Sequence, residues 1–196
     1  MGLIMDKNLE SYVKVYDGWL DAELCKKTIE ELESSTIKQT FSQHTFYNAL
    51  DKSYSAQSGN RELDVSYANV TTREYLMKRV WDGFARYLTE LNFPWYTTWA
   101  GYSGIRFNKY SEDRLMAEHC DHIHSMFDGQ TKGIPVLSFV GVLNDDYEGG
   151  EFVMWKDKVI EIKTGSVMIF PSIFLYPHRV EPIKKGTRHS FVSWAY

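Results

Sequence analysis

The chain has 196 residues, of which 43% are apolar and 15% aromatic, so it is suited to one globular domain and not to a disordered protein. Its formal net charge of −4 and pI near 5.9 argue against a protein whose main function is to bind nucleic acid or an anionic membrane. Cys25 and Cys120 are too few for a disulfide scaffold. Residues 1–6 lack the apolar core of a signal peptide, and we expect a soluble cytoplasmic protein without a membrane span.

The sequence pattern of residues 1–94 predicts a helical flank that is interrupted by a variable loop. Asp21 is placed to cap a first helix, and the capping-box pair Thr71 and Glu74 predicts the start of a second helix. Between them, Ser35–Asn69 is polar and irregular, which predicts a long loop that acts as a mobile lid or as scaffold. In the second helix, the apolar residues expected to face the core are Met77, Val80, Trp81, Phe84, Leu88 and Leu91.

Residues 95–196 predict a series of short strands separated by turn residues. Val136–Leu143 is a nearly continuous apolar run, which is typical of a strand covered on both faces. Two helices followed by many short strands favour a mainly β (α+β) fold, an antiparallel barrel or jelly roll with a helical flank. We therefore predict a single domain over residues 1–196, with the jelly-roll core in residues 95–196.

Three residues are candidates for a metal site. His119 and Asp121 are two apart and point the same way on an extended backbone, and His178 completes a three-ligand face if the fold brings it back. Two imidazoles and one carboxylate with open positions are typical of non-haem Fe(II) oxygenases. His122 and His124 form a competing His-x-His pair, but they have the opposite parity and no matching partners.

The alternating pattern of the last strand predicts that one cationic side chain, that of Arg188, is buried. Alternation places Arg188, Ser190, Val192 and Trp194 on one face and His189 on the other. If Val192 and Trp194 line the barrel interior, Arg188 is carried inward with them. A guanidinium inside a barrel demands an anionic partner, and a bound dicarboxylate would supply one.

These residues belong to an ordered set of motifs that resembles the Fe(II)- and 2-oxoglutarate-dependent oxygenases, and among them the prolyl 4-hydroxylase-like group. The resemblance covers residues 106–196. Its pieces are Tyr110, His119-Cys120-Asp121, Leu143-Asn144-Asp145, Gly149-Gly150-Glu151, His178-Arg179-Val180 and Lys185-Gly186-Thr187-Arg188-His189-Ser190. Arg188 follows His178 by ten residues, the interval at which that family places the basic residue for its co-substrate.

The resemblance implies a double-stranded β-helix and a set of cofactors. His119, Asp121 and His178 would be the Fe(II) ligands. The co-substrate 2-oxoglutarate would chelate the metal, O2 would take the remaining position, and ascorbate is expected to stimulate turnover.

The resemblance also implies how the co-substrate is held. Arg188, with Ser190, would bind the distal carboxylate of 2-oxoglutarate through charge-assisted hydrogen bonds. Tyr110 would lie beside the co-substrate as a phenol donor. Ser138, on the long apolar strand, is a further candidate for a hydroxyl contact.

The predicted function is hydroxylation of an unactivated C–H bond, with a prolyl residue in a peptide or protein as the first expectation for the substrate. A free amino acid or another small molecule is an alternative. A nucleic-acid base is another, although the acidic pI and the absence of a basic surface run argue against it. A non-catalytic, cupin-like metal- or ligand-binding barrel is the alternative of a different class.

Overall fold

The computed structural model describes residues 7–34, 41–48, 52–56, 58–121 and 134–196. Their helical elements are 3₁₀ turns at Leu9–Tyr12 and Gly59–Arg61 and two α-helices, α1 (Ala22–Glu33) and α2 (Arg73–Leu91). The strands are β1 (Lys14–Tyr16), β2 (Ser42–Gln43), β3 (Phe46–Asn48), β4 (Ser53–Ser55), β5 (Asp64–Ser66), β6 (Arg106–Tyr110), β7 (Met116–His119), β8 (Leu137–Val142), β9 (Glu148–Gly149), β10 (Phe152–Met154), β11 (Lys158–Ile160), β12 (Val167–Pro171), β13 (His178–Val180), β14 (Ile183–Lys185) and β15 (Arg188–Ala195).

The two helices begin in different ways. Asp21 caps α1 as predicted, since its carboxylate accepts a hydrogen bond of 2.9 Å from the backbone N–H of Leu24. The capping box predicted for α2 is wrong, because α2 begins after Thr72 without a side-chain cap and the Thr71 hydroxyl bonds Glu31 on α1 instead. Among the described residues, no helix is both long and apolar enough to cross a membrane.

The described strands form two main antiparallel sheets, which confirms the jelly-roll fold. The larger sheet has the order β1-β12-β8-β15-β6-β5-β2, and the smaller has the order β11-β10-β13-β7. The pairs β14-β9 and β3-β4 complete the strands of the described residues. The prediction that Ser35–Asn69 is irregular is wrong for its described residues, because this segment supplies β2, the β3-β4 hairpin and β5, and two of these strands extend the larger sheet.

Two apolar layers hold these elements together. One lies between the helices and the larger sheet and includes Phe84 of α2, Phe139 of β8 and Phe191 of β15. The other lies between the two sheets and includes Met116, Phe152, Val180 and Trp194. The prediction that Trp81 faces the core is wrong: its side chain is 50% exposed and rests against Trp99 at the edge of the first layer, with ring centroids 5.0 Å apart.

Candidate active site

The pairing of β7 with β13 brings the two predicted histidine ligands together. His119 lies directly opposite His178 in this antiparallel pair, and their ring centroids are 4.4 Å apart. Asp121 follows two residues after the end of β7, with its Oδ1 atom 3.3 Å from His119 Nε2 and 3.7 Å from His178 Nε2. One ligand atom from each of the three residues lies within 4.8 Å of the other two.

Backbone carbonyl groups fix the tautomers of both histidines. The Nδ1 atom of His119 is 2.8 Å from the carbonyl oxygen of Ala117, and that of His178 is 3.1 Å from the carbonyl oxygen of Tyr176. Because a carbonyl oxygen only accepts hydrogen bonds, each Nδ1 donates its hydrogen to that oxygen, and Nε2 is the ring nitrogen directed at Asp121. Three electron-pair donors therefore converge on one point, an arrangement that a bound cation stabilises.

Burial and the neighbouring polar groups together determine the protonation states of these residues. The ring of His178 stacks on Phe152 with centroids 5.2 Å apart, and Phe170 meets it edge-on at 5.1 Å. Burial lowers the pKa of His178 to about 4. Burial alone would raise the pKa of Asp121, but the two histidines and the Ser138 hydroxyl hold that pKa below its ordinary value. At neutral pH His178 is therefore neutral and Asp121 is ionised, as metal ligands must be.

Arg188 lies fully buried in the same pocket, with 0% of its surface exposed. Its Nε donates to the hydroxyl of Tyr147 at 3.1 Å and its Nη1 donates to Ser190 Oγ at 3.3 Å. The guanidinium carbon lies 4.9 Å from the ring centroid of Tyr110. Nη2 has no hydrogen-bond partner within the described part of the chain. A buried guanidinium with an unused N–H fits a carboxylate ligand, as the sequence predicts.

Gly150 lies among side chains that surround Arg188. It has a φ of +67°, and a Cβ atom there would lie 2.4 Å from Ile183 Cδ1 and 3.2 Å from Tyr147 Cε2, but at an ordinary contact distance of 3.4 Å from Arg188 Cδ. Gly149 and Gly150 both have the positive φ angles that favour glycine. The missing side chain of Gly150 therefore leaves space for Ile183 and for Tyr147, which bonds Arg188.

The remaining predicted site residues lie in different surroundings. Ser138 is near Asp121, where its hydroxyl is 2.8 Å from the hydroxyl of Ser172. His189 faces away from the pocket, is buried and bonds Glu33 at 2.8 Å. Cys120, between His119 and Asp121, is partly exposed. The competing pair at positions 122 and 124 lies outside the described residues.

Sequence reasoning missed several residues of the pocket. Arg106 and Asn108 on β6 line it beside Tyr110, and these three positions share one face of the strand. Alternation around Tyr110 would have found them. Tyr147 is different, because it lies in a turn where no periodic pattern points inward. Tyr147 contacts Arg188 from behind this lining, and the described residues that line the pocket are Arg106, Asn108, Tyr110, Met116, His119, Asp121, Val140, Phe152, His178, Val180, Arg188, Ser190, Val192 and Trp194.

Comparison with known proteins agrees with this geometry. The profile of the 2OG-Fe(II) oxygenase superfamily matches residues 105–196. A PKHD-type hydroxylase from Crocosphaera subtropica is 34% identical over 97 residues, which are 47% of this chain and 42% of the relative. Another from Gloeothece citriformis is 46% identical over 52 residues, 25% of this chain and 23% of the relative. The matches thus span less than half of the length of these relatives.

Solved structures share the fold over nearly the whole chain. A prolyl hydroxylase from Trichoplax adhaerens, solved with a peptide fragment of the hypoxia inducible factor oxygen degradation domain, aligns with a TM-score of 0.65 and 16% identity, covering 94% of this chain and 83% of that one. The viral collagen prolyl hydroxylase of Paramecium Bursaria Chlorella virus-1, solved as a 2OG complex, aligns with a TM-score of 0.62 and 13% identity, covering 94% and 95%. At such identities the likeness shows a common double-stranded β-helix.

Proposed function

We propose that this protein is an Fe(II)- and 2-oxoglutarate-dependent hydroxylase, from the premise that its carboxyl-terminal half belongs to the 2OG-Fe(II) oxygenase superfamily. That superfamily uses Fe(II) and 2-oxoglutarate with O2. One observation supports the proposal most strongly: the three-residue cluster and a buried arginine with a free N–H line one pocket. A simple metal-binding barrel needs the cluster but has no use for the arginine.

Each residue of the pocket has a proposed role. His119 and His178 would bind iron through Nε2, and Asp121 would bind it through a carboxylate oxygen. Arg188 would hold the distal carboxylate of 2-oxoglutarate with its free Nη2, while Ser190 keeps the guanidinium in place. Tyr110 would lie against the co-substrate.

The metal and co-substrate, when bound, supply the oxidation of a C–H bond by O2. The chain orients the side chains of the site and shields them from bulk water. Phe152 and Phe170 pack around His178 and keep its ring from rotating, and the carbonyl oxygen of Tyr176 holds the tautomer. Burial raises the pKa of Tyr110, so its phenol stays protonated and remains a donor. The apolar wall beside the cluster also excludes bulk water.

The proposed substrate is a prolyl residue in a peptide or protein. The matching relatives are named PKHD-type hydroxylases, and the aligned structures include prolyl hydroxylases, one of them with a peptide fragment. The Ser35–Asn69 segment stays the proposed lid over this substrate. Slower hydrogen exchange in that segment when substrate joins the iron and 2-oxoglutarate complex would support a lid, whereas protection without any ligand would indicate scaffold.

The proposal is tested by succinate formation and by mass spectrometry of peptide and amino-acid libraries. The protein is incubated with Fe(II), ascorbate and 2-oxoglutarate, and we expect a gain of one oxygen atom in a subset of peptides. Asp121→Ala should lose turnover and weaken iron binding, because it removes the anionic ligand. The matched control is Asp157→Ala, an exposed carboxylate between β10 and β11, which should behave as the wild type. Normal activity in Asp121→Ala would refute the site, and iron binding without succinate would leave a non-catalytic barrel.

A further inference from the structure

The pocket holds a second buried guanidinium, that of Arg106, which the proposed reaction does not use. Arg106 is 7% exposed and lies on β6. Its Nε donates to Asn108 Oδ1 at 3.1 Å. No carboxylate of the described residues lies within 4 Å of it, and its two terminal nitrogens make no hydrogen bond to a described residue. A nearly buried cation thus faces the pocket without an anionic partner from the described chain.

A second unused donor lies next to Arg106. The guanidinium carbon of Arg106 is 5.1 Å from the ring centroid of Trp194, and the indole N–H of Trp194 is buried without an acceptor among the described residues. A buried N–H without an acceptor costs free energy, and so does a buried cation without an anion. The cation–π contact with Trp194 offsets only part of this cost. Two neighbouring donors therefore lack an acceptor, and a carboxylate would serve both.

This group of donors is separate from the one around Arg188. On the paired strands β6 and β15, Arg188 lies opposite Tyr110, whereas Arg106 lies opposite Val192. These pairs are four residues apart, which is about 13 Å along the strands. The Ser190–Asn108 pair lies between them, with Ser190 bonded to Arg188 and Asn108 bonded to Arg106. Each arginine thus has its own supporting side chain.

Charge balance leads to the same conclusion. Asp121 is the one carboxylate among the described lining residues, against two arginines. A divalent metal and the dianion of 2-oxoglutarate cancel one another, so one positive charge remains without a counter-charge. Burial lowers the pKa of Arg106, which reflects the cost of keeping that charge in the pocket. An anionic group on a further ligand would remove this cost.

We propose that Arg106, together with the indole N–H of Trp194, binds a carboxylate of the prime substrate and thereby determines which substrates are accepted. This inference rests on the proposed function and deepens it. Two sources share the required chemistry: the α-carboxylate of a free amino acid or a chain end, and the side-chain carboxylate of an acidic residue near the hydroxylated position.

The test measures binding close to the metal. The protein is loaded with Mn(II) and 2-oxoglutarate under anaerobic conditions, and the paramagnetic relaxation of ligand protons reports their proximity to the metal. One probe set pairs the common L-amino acids with their primary amides. The other pairs capped tripeptides that carry Asp or Glu beside proline with the same peptides carrying Asn or Gln. In the matching set, the wild type should bind the acids roughly 30-fold or more tightly than the neutral partners.

Variants then assign that preference to Arg106. Arg106→Gln should abolish the preference for acids, and Arg106→Lys should restore part of it because charge is retained without the planar fork. Trp194→Phe should weaken acid binding by a few-fold. The control is Arg179→Gln, which removes a partly buried guanidinium that pairs with Glu118 and Glu181 and does not line the pocket. Thermal unfolding checks that each variant is folded, and the 2-oxoglutarate affinity of Arg106→Gln should stay near that of the wild type.

Several outcomes would overturn the proposal. These are equal binding of acids and neutral partners by the wild type, no binding of either probe set, and a preference for acids that survives in Arg106→Gln. A large loss of 2-oxoglutarate affinity in Arg106→Gln would instead assign Arg106 to the co-substrate. If the wild type fails to bind Mn(II) and 2-oxoglutarate at the loading step, the proposed function fails first and this inference fails with it.

Discussion

The two faces of the larger sheet are equally buried but differ in chemistry. On β15, Phe191 and Ala195 face the helices and pack in an apolar layer, whereas Arg188, Ser190 and Trp194 face the pocket. Within the described residues, buried polar atoms without partners occur on both sides: His189 Nδ1 and the Tyr96 hydroxyl on the helix-facing side, and N–H groups of Arg188 and Trp194 on the pocket face. Neither burial nor a missing hydrogen bond by itself therefore identifies function. The donors of Arg188 and Trp194 differ because they line the same pocket as the His119, Asp121 and His178 cluster, where a ligand could satisfy them.

On its helix-facing side, the larger sheet is closely packed by aromatic rings. The rings of Phe84 and Phe139 meet edge-on with centroids 5.7 Å apart, and Phe139 stacks on Phe191 at 5.8 Å. Gly83 and Gly141 allow this approach, since a Cβ at Gly141 would lie 2.3 Å from the Phe191 ring. These ring contacts fill the part of the layer between α2, β8 and β15, so its role is to hold β8 and β15 in place.

The largest expected effect is a loss of stability when the helix-facing layer is disrupted. Phe84→Ala should lower the free energy of unfolding by about 3–5 kcal/mol, because it leaves a cavity under Phe139. The matched control is Trp81→Ala on the same helix, where a half-exposed ring is removed and the loss should be less than about 1.5 kcal/mol. Urea unfolding measures both. If Phe84→Ala instead weakened 2-oxoglutarate binding and left the free energy of unfolding unchanged, the assignment of stability to the helix-facing side and of binding to the pocket side would be wrong.

On the pocket face, Arg188 should matter for binding. Arg188→Ala should weaken 2-oxoglutarate binding by about 2–5 kcal/mol, because the carboxylate would lose its buried counter-charge. Arg188→Lys should weaken this binding less, since the charge remains but the coplanar N–H donors of the guanidinium are lost. Isothermal titration with 2-oxoglutarate, beside a separate titration with Fe(II), gives both affinities. Equal co-substrate affinity in wild type and Arg188→Ala would make Arg188 structural.

Acid should destabilise the metal-free protein through its buried histidines. Burial lowers the pKa of His178 to about 4, and burial also lowers the pKa of His189. An unfolded histidine titrates near pH 6.5, so the unfolded state binds more protons below that pH. For His178, the stability from neutral burial is complete above about pH 6.5 and is lost as the pH falls toward 4, with a slope of about 1.4 kcal/mol per pH unit between these values. His189 adds to this loss in the same direction.

Thermal unfolding of the metal-free protein across this pH range measures the effect. His178→Asn should flatten the pH dependence, because it removes one of the titrating groups. The same slope in wild type and His178→Asn would contradict the assignment.

The smallest expected effect concerns Tyr147, which supports Arg188 through one hydrogen bond. Tyr147→Phe should weaken 2-oxoglutarate binding by about 0.5–1.5 kcal/mol, since the arginine would lose one of its two fixed contacts. Tyr102→Phe, on the helix-facing side, is the matched control and should leave that affinity unchanged. A loss in Tyr147→Phe as large as that in Arg188→Ala would mean that the Tyr147 hydroxyl contacts the co-substrate itself.

Much of this arrangement follows from local pattern. Alternation along an extended strand is set by backbone geometry, so the sequence was sufficient to place Arg188, Ser190 and Trp194 on one face. The same rule puts His119 and Asp121 on one side. The spacing of these motifs was enough to predict the family and the jelly-roll fold.

Tertiary structure alone decided which strands became neighbours and therefore which distant side chains meet. The register that sets His119 opposite His178 depends on β7 lying beside β13, and no local rule determines that pairing. Ser138 bonds Ser172, which directly follows strand β12. Tyr147 bonds Arg188 from the connection between β8 and β9, where no alternating pattern predicts the direction of a side chain. Arg106 gains its significance only in the fold, where the described chain buries its charge in the pocket and places no carboxylate within 4 Å of it.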